Sequence, residues 1–235
     1  EILRCLDTFG LHWDEEPMRQ SQRQPAYKEA LELLVQQGYV FSCSCSREQL
    51  NSQPLYRCNC LEQPPSQLEV AMRVATPAIS ITVEDAIMGP QTQHLADEVG
   101  NFVLQRKDQL FSYQLAVVVD DAQQKISHII RGSDLYQQTP QQVWLQACLN
   151  YKQPSYGHLP IIVNGQGQKL SKQNLATPLD MLQAPALMSE ALERLGHPAP
   201  CGLRQAPVAE QLEWAAGQWD IECVPKRMQD PIAFV

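Results

Sequence analysis

The sequence lacks a long apolar run, a secretory leader and any repeat or low-complexity tract, and each absence narrows the class of protein. No apolar stretch approaches the roughly 20 residues that cross a bilayer, so we expect no membrane association. The residues from Glu1 to Cys5 are typical of a helix interior rather than of a signal peptide. We therefore expect a cytoplasmic protein. Because an initiating methionine is also absent, we expect the chain to begin inside a longer gene product.

Basic charge is scarce as well. The formal net charge is −8, which argues against a nonspecific nucleic-acid binder, because such proteins are usually basic. An acidic protein can still carry a local basic groove, so charge alone leaves RNA binding open. A length of 235 residues with 44% hydrophobic content predicts a soluble globular protein of one large or two small domains.

Cysteine, by contrast, is abundant and unevenly placed. Of eight cysteines, four form two Cys-x-Cys pairs: Cys43, Cys45, Cys58 and Cys60. Soft thiolates brought together by a short loop suit tetrahedral zinc, and a closed shell of four ligands is typical of a structural site. The others are scattered like ordinary buried cysteines. This pattern indicates one metal site in a reducing compartment rather than a disulfide framework.

The hydrophobic pattern predicts an alternation of helices and strands. Apolar spacing and flanking breakers indicate helices at 25–37, 140–149 and 203–214, and mostly helical chain from 178 onward. Apolar runs indicate strands at 39–41, 70–74, 79–83, 115–119 and 159–163. The run from Leu115 to Val119 is typical of a strand buried on both faces of a parallel sheet. The alternation favours an α/β core that is interrupted by a small metal-bearing insertion.

A loop near residue 170 carries the sharpest chemical signal. Between Gly165 and Asn174, Lys169 and Lys172 flank a serine on a segment rich in glycine. Two mobile ammonium groups suit the triphosphate of a nucleotide, and the glycines predict that the loop closes on it. Taken alone the pattern is also common on exposed surface loops, so its meaning depends on two further blocks of sequence.

Those two blocks lie upstream, from Phe111 to Asp121 and from Ile129 to Leu135. In this order and spacing, the three blocks resemble the second catalytic half of class I aminoacyl-tRNA synthetases of the glutamyl/glutaminyl group. The segment Lys169 to Gln173 is similar to the KMSKS loop of that class, with Leu for Met and Gln for the final Ser. Only about sixty residues follow Gln173, too few for a large anticodon-binding region. The chain therefore resembles most the shortened glutamyl-tRNA synthetase paralogues that modify queuosine in tRNA(Asp).

The resemblance extends along the whole chain, least at 62–100, and implies an organisation in four parts. It implies a class I Rossmann-type nucleotide-binding core that lacks its N-terminal part, a small zinc-bearing insertion and a helical C-terminal tail. The expected boundaries are 1–40 for the remainder of the first half of the core, 41–110 for the inserted zinc-bearing acceptor-type domain, 111–174 for the second half of the core and 175–235 for the helical subdomain.

The resemblance also implies roles for individual residues. Lys169 and Lys172 are the expected catalytic residues, with Lys172 on the ATP phosphates, and Tyr113 and Arg131 are expected to contact glutamate. Without the resemblance, Tyr113 would be read as a core tyrosine and Arg131 as a partner of Asp134. The family pattern maps the zinc ligands onto Cys43, Cys45, Tyr56 and Cys60. The chemistry of the residues alone prefers Cys58 to Tyr56, because a thiolate forms more readily than a phenolate, and both alternatives stay open here.

The implied reaction is the ATP-dependent activation of glutamate to glutamyl-adenylate without tRNA, followed by transfer to the queuosine base at the wobble position of tRNA(Asp). The expected partners are ATP with Mg²⁺, L-glutamate and queuosine-bearing tRNA(Asp), with one structural Zn²⁺ per chain and a monomeric state.

One departure from the family is large. The HIGH motif and its preceding strand are absent, and His12 and His158 stand in unrelated contexts. We therefore expect a fragment that is inactive as written. The alternatives are a truncated discriminating glutamyl-tRNA synthetase and a noncatalytic zinc-bearing RNA-binding remnant.

Overall fold

The computed structural model describes residues 2–46, 48–49, 55, 58–66, 69–171 and 176–231. The helices are α1 (Ile2–Thr8), α2 (Gln24–Gln36), α3 (Tyr113–Gln123), α4 (Thr139–Cys148), α5 (Ala184–Arg194) and α6 (Val208–Gln218). The strands are β1 (Val40–Cys43), β2 (Ala71–Val74), β3 (Ser80–Asp85), β4 (Gly89–His94), β5 (Val103–Gln105), β6 (His128–Gly132), β7 (Ser155–Leu159), β8 (Ile161–Val163) and β9 (Gln229–Pro231). Within these described ranges, no helix is both long and apolar enough to cross a membrane.

Helix α2 forms where its apolar spacing predicts it. Pro25 lies in the first turn, where a missing N–H costs no hydrogen bond. Tyr27, Leu31 and Leu34 are buried on one face, at intervals of three and four residues. The helix ends before Gly38, whose φ of +77° is the left-handed conformation that stops a helix. Strand β1 then begins at Val40 and leads into the cysteine cluster.

The strands form three small sheets. Strands β1, β2 and β5 make an antiparallel sheet in the order β1-β2-β5, and Cys43 pairs with Ala71 at its end. A four-stranded sheet has the order β4-β3-β7-β6, in which β3 pairs with β7, and β7 with β6, in parallel. The third sheet is the parallel pair of β8 and β9. The four-stranded sheet positions the candidate active site, because Asp85, Arg131 and His158 all lie near the ends of its parallel strands.

Two predictions of secondary structure are wrong. The run from Leu115 to Val119 is the middle of helix α3 rather than a strand. Four of its five residues are buried, and a short apolar run of this kind looks the same in a buried helix as in a buried strand. The second error is the predicted strand at 159–163, which divides at Pro160 into β7 and β8 in different sheets. Proline lacks the N–H that a continuous strand would donate.

The main core lies between α2, α3 and α4. Its fully buried residues include Leu34, Leu115 and Leu145, one from each helix. A buried polar contact fixes the same packing, because the Tyr27 hydroxyl donates to Asp120 of α3 over 2.6 Å and Arg23 Nε donates to it over 3.0 Å. Helices α5 and α6 form a separate hydrophobic cluster in the predicted helical tail. Helix α3 is thus held firmly by its inner face, while Tyr113 at its start stays 46% exposed.

Candidate active site and metal centre

The four clustered cysteines meet at the end of β1. Cys43 is the last residue of that strand, and Cys45, Cys58 and Cys60 lie on irregular chain beside it. The sulfur atoms of Cys43 and Cys58 are 3.7 Å apart, and those of Cys45 and Cys60 are 3.6 Å apart. All four sulfurs lie within 4.8 Å of one another. The fold thus brings the predicted Cys43, Cys45 and Cys60 together and adds Cys58, whereas Tyr56 lies outside the described residues.

This spacing fits a tetrahedral metal ion. Four zinc–sulfur bonds of about 2.3 Å in a tetrahedron place the sulfurs roughly 3.8 Å apart, close to the two distances observed. Four soft sulfur ligands in this geometry favour zinc or iron over magnesium or calcium. Residues present in the chain therefore suffice to hold such an ion.

The thiols of the cluster differ in how readily they ionise. Burial raises the pKa of Cys45 to about 12 and that of Cys58 to about 11, and contacts with the neighbouring thiols add to the effect. Burial opposes the ionisation of Cys60 too, but a hydrogen bond from the Ser44 backbone N–H and contacts with the other thiols lower its pKa to about 7. A bound cation would favour the thiolate form at all four positions, since metal coordination deprotonates thiols.

The lysine loop begins on a tight turn after β8. The side-chain oxygen of Asn164 accepts hydrogen bonds from the backbone N–H groups of Gln166 and Gln168, and Gly167 takes a φ of +74°. The turn carries Lys169 back beside Val163, with which it forms an isolated bridge. Lys172 lies outside the described residues. Of the two candidate lysines, Lys169 is therefore the one whose position the structure describes.

Lys169 directly contacts the second of the upstream sequence blocks, which runs from Ile129 to Leu135. Its ammonium Nζ lies 2.6 Å from the carboxylate Oδ2 of Asp134, close to the end of β6. Both side chains are partly exposed, and such pairs contribute at most about 1 kcal/mol. Gly132 permits this arrangement, since a Cβ there would lie 2.6 Å from the other oxygen of Asp134. The contact links two of the three sequence blocks without fixing the loop rigidly.

The two candidate glutamate-binding residues lie on adjacent elements around one tyrosine. Tyr113 is the first residue of α3, and Arg131 is in β6. The guanidinium carbon of Arg131 lies 5.4 Å from the centre of the buried Tyr156 ring. Burial raises the pKa of Tyr156, whereas a hydrogen bond from Gln146 and the positive charge of Arg131 lower it. The fold therefore places Arg131 beside the Tyr156 ring, and Tyr113 at the start of the helix that precedes β6.

Arg131 is not paired with Asp134. Its Nε donates to Nε2 of His158 over 3.0 Å, and its Nη2 donates to the Thr139 hydroxyl over 2.9 Å. Its third nitrogen, Nη1, is buried and has no hydrogen-bond partner among the described residues. A buried guanidinium nitrogen with unused N–H donors suits an incoming carboxylate, because leaving buried donors unsatisfied costs free energy.

Sequence reasoning missed the two residues behind Arg131. His158 is fully buried, and its Nδ1 lies 2.6 Å from Oδ2 of Asp85. Although burial opposes its charge, hydrogen bonds from His158 and from the backbone of Met88 and Ile87 hold the pKa of Asp85 below its ordinary value. Nothing local in the sequence marks this pair. The available signal was a histidine placed directly before the apolar run at 159–163.

Asp121 yields a prediction about stability and pH. Burial and the neighbouring Asp120 raise the pKa of Asp121 to about 6, against an ordinary value of 3.8, although Arg131 acts in the opposite direction. Because the folded-state pKa is raised to about 6, ionisation of this half-buried carboxyl destabilises the folded protein as the pH rises from about 4 through 6, by about 1–3 kcal/mol at pH 8. Asp121→Asn is therefore expected to raise the free energy of unfolding at pH 8. The gain should shrink as the pH falls from 6 toward 4.

Urea unfolding at pH 8 and pH 4 measures this difference. Asp14→Asn, at an exposed position on irregular chain, is the matched control and should change stability little at either pH. An Asp121→Asn protein that is equally stable or less stable than the parent at pH 8 would contradict the argument.

Comparison with known proteins identifies the class to which this site belongs. The family model for the catalytic domain of class I tRNA synthetases (E and Q) matches residues 1–64 and 59–198. A glutamate tRNA ligase from Elizabethkingia meningosepticum, solved with its amino acid, superposes with a TM-score of 0.77 at 19% identity. That superposition covers 99% of this chain and 56% of the ligase chain. The chain therefore belongs to the glutamate and glutamine family of class I tRNA synthetases, which are ligases, and has their α/β fold.

Its relatives in sequence define the branch more narrowly. The glutamyl-Q tRNA(Asp) synthetase of Thiobacillus denitrificans is 46% identical over 95% of this chain and 77% of its own length. That of a Synechococcus species is 47% identical over 91% of this chain and 75% of its own length. That of Pseudomonas fluorescens is 41% identical over 99% of this chain. The resemblance drawn from the three sequence blocks is confirmed.

Proposed function

We propose that the protein activates glutamate with ATP to give glutamyl-adenylate, without needing tRNA, and transfers the glutamyl group to queuosine at the wobble position of tRNA(Asp). The observation that carries this proposal is the identity of 41–47% to glutamyl-Q tRNA(Asp) synthetases along nearly the whole chain. That identity spans the candidate site described above. The protein is proposed to act as a monomer.

In the activation step the protein mainly positions the reactants and stabilises charge. A carboxylate of glutamate attacks the α-phosphate of ATP, an acyl–phosphate bond forms, and pyrophosphate leaves. Lys172 is proposed to stabilise the growing negative charge on the triphosphate, with Lys169 supporting it. ATP is proposed to enter with Mg²⁺, as nucleoside triphosphates commonly do.

Glutamate recognition is assigned to Arg131 and Tyr113. The unused Nη1 donor of Arg131 supports the assignment, since a carboxylate placed there would receive a charge-assisted hydrogen bond. Tyr113 offers a hydroxyl from an exposed position at the start of α3. The nearby ring of Tyr156 supports the guanidinium from one side. Together these residues supply the arginine and hydroxyl donors that a dicarboxylic amino acid requires.

The cysteine cluster is proposed to hold one structural zinc through Cys43, Cys45, Cys58 and Cys60. When bound, the ion supplies a closed tetrahedral cross-link and no catalytic position. Beside the cluster, a cavity of about 270 Å³ is lined by Cys45, by three basic side chains (Arg73, Arg106 and Lys107) and by Asp108, which is ion-paired with Arg106. A basic surface on an acidic chain supports contact with the phosphate backbone of tRNA.

The direct test is a glutamylation assay with the zinc-loaded, full-length protein. Labelled glutamate and ATP are supplied with queuosine-bearing tRNA(Asp), with tRNA(Asp) lacking queuosine, or with tRNA(Glu). Label on queuosine-bearing tRNA(Asp) alone is the expected result. Label on tRNA(Glu) would instead make the protein an ordinary glutamyl-tRNA synthetase. Label on no tRNA, without ATP–pyrophosphate exchange, would make it a noncatalytic RNA-binding protein.

A further inference from the structure

Arg131 is held by a histidine that the protein buries completely. His158 has 0% exposure, and its Nε2 lies 3.0 Å from the Nε of Arg131. An arginine only donates hydrogen bonds, so Nε2 must present its lone pair to Arg131. The contact therefore exists only in the histidine tautomer that carries its proton on Nδ1.

Asp85 selects that tautomer. Its Oδ2 lies 2.6 Å from Nδ1 of His158, and an ionised carboxylate can only accept. Its Oδ1 accepts three backbone N–H groups, from Ile87, Met88 and His158 itself. These bonds fix the orientation of the carboxylate and help to hold the pKa of Asp85 below its ordinary value. Asp85 therefore keeps a proton on Nδ1 and a lone pair on Nε2.

One nitrogen of the guanidinium, Nη1, is left with both of its N–H donors unused by the described residues. His158 engages Nε and Thr139 engages Nη2, while Nη1 is buried and makes no hydrogen bond to any described residue. A planar guanidinium held at two nitrogens cannot rotate freely about its final bonds. The unused nitrogen is thereby oriented before any ligand arrives, which lowers the entropic cost of binding a carboxylate.

We propose that Asp85 and His158 are positioning residues for Arg131, which orient its free Nη1 toward a carboxylate of the amino acid substrate. This inference rests on the proposed function, since it assumes that Arg131 binds glutamate. It adds to that function a series of hydrogen bonds that runs from Asp85 through His158 to Arg131, with one residue from each of three strands of one sheet. If the network only supported the fold, the KM for glutamate would not depend on whether the side chain at position 158 can accept the N–H of Arg131.

Asp85→Asn tests the tautomer while preserving the fold. The asparagine oxygen keeps the three backbone hydrogen bonds, which outweigh the single bond to His158 if each contributes about 1 kcal/mol. Its NH₂ group then faces Nδ1, so the proton moves to Nε2 and opposes the N–H of Arg131. We expect the KM for glutamate to rise by about tenfold to a hundredfold, with the KM for ATP unchanged.

Two substitutions of His158 separate positioning from packing. In His158→Gln, the side-chain oxygen reaches the place of Nε2 and still accepts from Arg131, although the bond to Asp85 is lost. In His158→Asn, the amide can still donate to Asp85 but falls short of Arg131. We therefore expect His158→Gln to keep a KM for glutamate near that of the parent and His158→Asn to raise it as Asp85→Asn does. Nitrogen NMR of the histidine ring should show the tautomer change in Asp85→Asn.

The controls distinguish failure of this inference from failure of the proposed function. Arg131→Lys must raise the KM for glutamate by itself, and an unchanged KM in that variant would remove Arg131 from the glutamate site. If Arg131→Lys has the expected effect but Asp85→Asn and His158→Asn do not, the positioning role is wrong. Equal losses in His158→Gln and His158→Asn would likewise show that the network only supports the fold. Thermal unfolding of each variant confirms that the kinetics are measured on folded protein.

Discussion

Replacing Lys172 with alanine is expected to lower the rate of ATP–pyrophosphate exchange by about 10²–10³-fold while leaving the affinity for glutamate unchanged. The side chain is proposed to stabilise negative charge that develops on the triphosphate only as the acyl–phosphate bond forms. Removing one such preorganised donor typically costs this factor in rate, because its contribution is largest in the transition state. Glutamate is proposed to bind elsewhere, at Arg131 and Tyr113, so we expect its affinity to stay the same when Lys172 is replaced.

Two other lysines provide graded comparisons. The ammonium of Lys169 lies 2.6 Å from Asp134, so part of its charge is already neutralised and Lys169→Ala should cost less than Lys172→Ala. Lys152 is exposed on the connection between α4 and β7, and Lys152→Ala should leave the exchange rate unchanged. Exchange that survives Lys172→Ala at the parent rate would remove the loop from catalysis. A simultaneous loss of glutamate affinity would point to damage beyond the loop.

Local features of this chain could be predicted from sequence because neighbouring residues determine them. Helix α2 was found from its apolar spacing, its proline and its terminal glycine. The spacing of the cysteines predicts that they meet at one site, since each Cys-x-Cys places two sulfurs on one short segment. The order and spacing of the three blocks around Tyr113, Arg131 and Lys169 identified the family. The roles assigned to those residues remain predictions.

The features that could not be predicted depend on contacts between distant segments. Asp85 and His158 are separated by 73 positions, and they meet only because β3 and β7 pair in a particular parallel register. No pattern within either strand specifies that register. Helix α3 was mistaken for a strand because its burial among α2 and α4 removes the polar face that usually reveals a helix. Without the family resemblance, Arg131 would be paired with its sequence neighbour Asp134, whereas the fold supplies His158 from an adjacent strand.

Removing zinc, or one of its ligands, is expected to destabilise the part of the chain around β1. Apparent binding free energies at structural zinc sites are about 10–16 kcal/mol, so the ion would contribute more than any exposed ion pair. The parent protein should contain one zinc per chain by elemental analysis and should melt at a lower temperature in chelator. Cys43→Ser should release the ion, because Cys43 is a ligand under either assignment of the fourth position.

The fourth ligand can be identified with a matched pair, Cys58→Ser and Tyr56→Phe. The sulfur of Cys58 lies 3.7 Å from that of Cys43, the separation that a tetrahedral site requires, so Cys58→Ser should lose zinc. Tyr56→Phe removes only a hydroxyl and should keep one zinc per chain. Cys201→Ser, an exposed thiol outside the cluster, controls for the loss of a cysteine as such. The reverse pattern, with zinc lost from Tyr56→Phe and kept by Cys58→Ser, would assign the site to three thiolates and a phenolate. The structural argument from sulfur spacing would then be wrong.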